Sequence, residues 1–183
     1  MTIHLLDPIT RHAAAGPLAA TATTPAYLGP LVTATAVGCG IAGGVFFAFS
    51  TFVMPALDRL TPSQSIAAMQ AINEAAPNPL FMLLLFGTAA ASLALGISAV
   101  KRWGEPGTAL QLVGAALYLL AIVVTVAYHV PHNDALARLD PNVADAGHRW
   151  SVYSAGWTAW NHVRTVAPIG AATLLTISRR FTR

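Results

Sequence analysis

"LVTATAVGCGIAGGVFFAFSTFVM", residues 31–54, admits two readings, and the choice between them decides the fold. Its centre, Gly38–Gly43, matches the dinucleotide fingerprint Gly-x-Gly-x-x-Gly letter for letter. That fingerprint works only between a strand and a helix N-terminus, where free N–H groups meet a pyrophosphate. Here no charge interrupts the stretch, which has the ~20 residues a helix needs to cross a hydrocarbon core. Lipid excludes unpaired backbone, so such a span is helical and its N–H groups are already used. The glycines then serve packing, as a small-xxx-small contact through Gly40 and Gly44.

The whole chain supports the membrane reading. Of its 183 residues 55% are hydrophobic and 9% charged, where a soluble domain carries about a quarter charged. The length suits one domain. The net charge is only +3, and no basic run with interleaved aromatics exists, so nucleic acid is not a partner. A lone cysteine, Cys39, excludes an internal disulfide and a Cys-based metal cluster.

Leu80–Val100 and Thr108–Ala127 are equally free of charge. A fourth stretch, Trp157–Ile177, has the length but carries Asn161, His162 and Arg164. Together these predict an all-α integral membrane four-helix bundle with up-down topology. Residues 31–178 form the membrane domain. Residues 1–30, which lack the pattern of a signal peptide, are read as a flexible N-terminal tail and residues 179–183 as a basic C-terminal tail. Arg11, Lys101, Arg102, Arg179, Arg180 and Arg183 fall on one face, against Arg59, Arg138 and Arg149 on the other. The positive-inside rule then places both termini in the cytoplasm, in a multi-pass protein of the plasma membrane. In the first outer loop, Thr61, Pro62 and Gln64 make a helix start. Ile66, Met69, Gln70 and Asn73 share one face of a short helix over the bundle mouth.

Polar residues converge towards that mouth. At about 100° per residue, Gln111, Tyr118, Thr125 and His129 lie on one stripe of the third span. Pro131 is expected to kink or end that helix, as Pro55 ends the first. Trp157, Asn161, Arg164 and Thr165 share a stripe on the fourth, while His162 lies about 100° away from Asn161. Phe46, Ser50 and Met54 recur every four residues on the first. Trp150 and Trp160 read as interfacial anchors. An arginine inside a span costs roughly 3 kcal/mol and usually faces a cavity or partner, although one near a helix end can also snorkel to the headgroups. His129 and His132 are spaced for a shared metal, but Pro131 disturbs that geometry and no third ligand accompanies them, so no metal site is assigned.

"FSTFVMPAL", "MQAIN", "VPHNDAL" and "WTAWNHVRT" resemble landmarks of the anthrone oxygenase-like (DUF1772) family, a resemblance that covers about residues 35–175. It implies an O₂-dependent oxidation of an anthrone-like aromatic polyketide to a quinone with no cofactor. Carried over by motif, the matching positions are Pro55, Asn73, Asn133, Trp157, Asn161, His162 and Arg164. The chain departs at His129, where the family pattern more often has Asn. On this reading a base, an oxyanion stabiliser and a dry pocket suffice. His129 is the expected base, with His162 as its alternate. Arg164, Asn161 and Asn133 hold the oxyanion, while the two asparagines read equally well as hydrogen-bonding glue between helices. Trp157 and Phe46 wall the pocket, and Ser50, Asn73 and Tyr118 complete the substrate contacts. Two other readings stay open: a non-catalytic protein binding a lipid or quinone, and a haem or copper redox protein using His129 and His162. The partners expected are a small aromatic or lipid-like molecule and membrane lipid, with self-association into a homo-oligomer left open.

Overall fold

The computed structural model describes residues 25–182. The proposed tail over residues 1–30 therefore falls largely outside the described residues, although helix already begins at Leu28. Five continuous helices follow: α1 (Leu28–Leu57), α2 (Pro62–Ala75), α3 (Pro79–Lys101), α4 (Thr108–Ala137) and α5 (Ala146–Ser178), the last ending in a 3₁₀ turn. No strand occurs among the described residues. Three helices, α1, α3 and α4, are long and apolar enough to cross a membrane. The fourth expected span lies inside α5, whose polar residues separate it from the other three by composition. α5 packs along both α1 and α4, and α3 closes the ring against α4 and α1.

The glycines of residues 38–43 serve packing, but not through the expected pair. A Cβ on Gly38 would collide with the Thr88 side chain, and one on Gly43 would lie 2.9 Å from Ile169 Cγ1. Gly40 would meet only Ala172, at 3.9 Å, and Gly44 faces open space. The close approaches are therefore Gly38 to α3 and Gly43 to α5. Around them Val32, Cys39, Leu95, Ala171 and Leu175 are completely enclosed.

The prolines at 55 and 131 do not end their helices. α1 runs on to Leu57 and α4 to Ala137. Each proline follows a widened turn of π type, Phe49–Val53 and Thr125–His129. The N–H of Met54 reaches back to Phe49 O, and that of Val130 to Thr125 O. Proline has no N–H, and its ring crowds the carbonyl one turn back. An extra residue in the preceding turn relieves that conflict without breaking the helix. A third such turn, Leu83–Gly87, lies in α3, where the Tyr118 hydroxyl donates to Leu85 O at 3.1 Å.

α2 forms as its start signal predicts: both halves of the Thr61/Gln64 capping box are present. It is tied down as a cover. Ser65 Oγ donates to Leu57 O at 2.8 Å, and Gln70 Nε2 donates to the carbonyls of Leu136 and Leu139, both at 2.9 Å. Trp150, expected at an interface, is instead buried beside this cover and donates to Asp58 Oδ1 at 2.8 Å.

Candidate functional site

Under α2, all five helices line a cavity of about 160 Å³. Each of the three widened turns contributes: Phe49 from α1, Leu85 from α3, and Thr125 and His129 from α4. Single π turns inside α-helices are frequent at functional sites. The walls are mainly apolar and aromatic, with Phe46, Phe81, Met82 and Trp157 prominent. Met69, Ile72 and Asn73 of α2 form the cover.

Arg164 lies in this lining and is 6% exposed. Its guanidinium sits 4.0 Å from the centre of the Phe46 ring and 5.8 Å from that of Trp157. No described residue hydrogen-bonds to it or pairs its charge, and Nε is buried without a partner. A snorkelling side chain would place its head in water; this one faces the cavity. The rings beneath it offset part of its desolvation, but a buried cation without a counter-charge is costly.

His129 is almost completely buried. Its Nδ1 lies 3.4 Å from Val124 O and its Nε2 3.3 Å from Trp157 O, and the ring stands edge-on to Trp157 at 5.0 Å. A neutral imidazole has one N–H, so one nitrogen must turn its lone pair towards a carbonyl oxygen. Taking up a proton converts that repulsive contact into a hydrogen bond.

Asn133 is held from two sides. The Tyr153 hydroxyl and the Trp157 indole N–H donate to its Oδ1, at 2.9 and 3.1 Å. Tyr153 lies one helical turn before Trp157 on α5, and nothing in the sequence links it to Asn133. Asn73 Nδ2 is buried and has no partner among the described residues.

The remaining candidates lie elsewhere. Asn161 Nδ2 donates to Phe46 O at 2.8 Å and to Ser50 Oγ at 2.9 Å, and Ser50 meets Thr165 Oγ1 at 3.2 Å. Asn161 and Ser50 therefore lock α1 to α5 directly behind the Phe46–Arg164 contact and do not line the cavity. Tyr118 is buried in the core below it, bonded to Leu85. His162 is on the exposed face of α5, so it does not share a site with the buried His129. Helical rotation had separated His162 from Asn161, and the structure keeps that separation. The sequence offered no cue for Phe49, Phe81, Met82 and Leu85, because apolar residues in apolar spans look alike whichever way they point.

The family model described as anthrone oxygenase matches residues 80–174. The match includes His129, Asn133, Trp157 and Arg164; α1 and α2, which supply Phe46 and Asn73, lie before it. No curated protein and no solved structure gives a match.

Proposed function

Because the chain belongs to the anthrone oxygenase family, we propose that its cavity oxidises a flat anthrone-like aromatic to a quinone, using O₂ and no cofactor. The observation that carries this reading is a buried, unpaired arginine beside a histidine in an aromatic-walled cavity. The substrate has a ring CH₂ opposite a carbonyl. With its ring turned so that the Nε2 lone pair leaves Trp157 O for the cavity, His129 takes one proton from that carbon, and the negative charge spreads to the carbonyl oxygen. Arg164 and the amide N–H of Asn133 face that oxygen, in a setting where fixed donors act without reorganising. The carbanion then reduces O₂ as a carbon–oxygen bond forms. Loss of the second proton with O–O cleavage leaves the quinone and water, so one O₂ oxidises one CH₂ to C=O. Asn161 acts by position, fixing Phe46 against Arg164.

The same reading places the protein in a membrane with α5 as the fourth crossing. Lys101, Arg102, Arg179 and Arg180 lie at the cytoplasmic end, and the cavity lies near the outer surface of the plasma membrane. An apolar substrate then reaches the cavity from the lipid.

Oxygen uptake by the purified protein with an anthrone tests the reaction. Wild type should consume oxygen, and Arg164→Ala and His129→Ala should each lower the rate by about 100-fold or more. Unchanged rates in both variants would remove these residues from the chemistry. An inactive wild type would favour a protein that binds a lipid or quinone without converting it.

A further inference from the structure

The polar groups of the cavity are one-sided. Arg164 brings donors and no acceptor. Asn73 Nδ2 is a buried donor without a partner. Asn133 has its oxygen occupied twice, by Tyr153 and Trp157, which leaves its amide N–H groups to offer. The Thr125 hydroxyl donates to Ala121 O of its own helix. Both nitrogens of His129 face main-chain carbonyls.

Among the described residues, no carboxylate lines the cavity. α1 and α3 present only apolar side chains to it, and α2 adds only the neutral Asn73 among polar groups. The titratable and charged groups near Arg164 are thus His129 on α4 and, behind Asn133, Tyr153 on α5. A ligand that completes this site must therefore supply acceptors, and negative charge is what an unpaired buried guanidinium lacks. Walls of Phe46, Phe81 and Trp157 add that the charge should be spread over a flat ring.

We propose that the cavity is a receptor for aromatic anions. It takes flat ligands with a ring-conjugated hydroxyl, binds them ionised, and so extends to hydroxyquinones that have no CH₂ left to oxidise. This rests on the reading that the cavity accepts a flat aromatic, but not on turnover. One consequence is regulatory: a quinone product that retains a ring hydroxyl competes with the substrate for Arg164.

The test uses 2-hydroxyanthraquinone, whose visible spectrum reports its ionisation, with 2-methoxyanthraquinone as a partner that cannot ionise. Both are titrated into the full-length protein in neutral detergent across a pH series. The bound hydroxyl should ionise about one pH unit or more below its midpoint in empty micelles, equivalent to about a tenfold preference for the anion. The methoxy compound should bind at least about tenfold more weakly, and the hydroxy compound should inhibit oxygen uptake competitively. Arg164→Gln should abolish the shift and Arg164→Lys should retain part of it, with thermal melts confirming that both are folded. Asn73→Leu, which leaves the arginine in place, should reduce the shift. A bound dye with an unchanged midpoint would overturn this inference while leaving an aromatic cavity. Binding of neither compound would overturn the inference and the aromatic reading together. A clear shift in a protein that consumes no oxygen with an anthrone would uphold the receptor and remove the oxygenase.

Discussion

The two ends of the helix ring pack in opposite ways. Towards the chain ends the helices touch through small side chains: Gly38 lies against Thr88, and Gly114 lies under Leu175 and Ala171. Cys39, Leu95 and Ala99 are wholly enclosed there. Under α2 the same helices carry Phe, Met and Trp, take three widened turns, and leave a cavity of about 160 Å³. Close contact at one end gives the assembly a stiff base. Helices held firmly at the base can diverge at the other end without falling apart, and the space between them becomes usable. The difference also appears in polar groups. Near the base, Gln111 accepts from Arg102 at 2.7 Å, and Arg102 also pairs with Glu105. At the cavity the arginine has no counter-charge among the described residues.

That contrast can be broken by mutation. The largest effect is expected at Arg164. Arg164→Met should reduce oxygen uptake with an anthrone by about 100-fold or more, yet leave the melting temperature unchanged or raised, because it removes an unpaired buried charge. A fall in both would mean that the arginine holds the fold together. At the base, Gly38→Val should destabilise the protein by about 1–3 kcal/mol through overpacking against Thr88. Gly44→Ala, into open space, should stay within about 0.5 kcal/mol. Equal melting temperatures for these two variants would refute the stiff base.

Smaller effects sharpen the boundary between lock and cavity. Asn161→Ala removes two hydrogen bonds between α1 and α5 and should cost about 1–3 kcal/mol of stability. Turnover per folded molecule should fall only by a few fold; a fall as deep as that of Arg164→Met would put Asn161 in direct contact with the substrate. Tyr153→Phe removes one of the two donors on Asn133, worth about 0.5–1.5 kcal/mol. It should raise KM by a few fold with kcat little changed. His162→Ala should leave oxygen uptake within about twofold, as expected for an exposed residue with no role in folding. A large loss there would return His162 to the chemistry in place of His129.

Much of the cavity was legible, because its polar residues stand out against an apolar chain. Arg164 and Trp157 share a helical stripe, His129 and Asn133 end the third span, and Asn73 lies on the face of α2 that points inward. Their convergence follows from periodicity and from counting spans. The errors share one physical source. Pro55 looks like a helix end and Pro131 like a kink or an end, since proline cannot continue a regular helical register, but a π turn that closes two residues earlier absorbs the mismatch. Gly40 and Gly44 look like a packing pair, but spacing along one helix does not say which face meets a neighbour. Ser50 looks like a ligand contact and Asn161 like either a ligand contact or glue between helices, and they bond to each other because α1 and α5 meet there.

The sequence by itself determined that the chain is helical, apolar enough for a membrane, covered by a short capped helix, and polar towards one end. These properties depend on composition and on local periodicity, which neighbours in space do not alter. Only the tertiary structure decided which polar groups bond to one another and which are left over. Asn161 and Arg164 stand three residues apart on the same stripe. One finds a carbonyl and a hydroxyl within reach, and the other finds two aromatic rings and an open cavity. Hydrogen bonds act over about 3 Å, so a small difference in where the neighbouring helix lies turns one into a fastener and leaves the other free to bind.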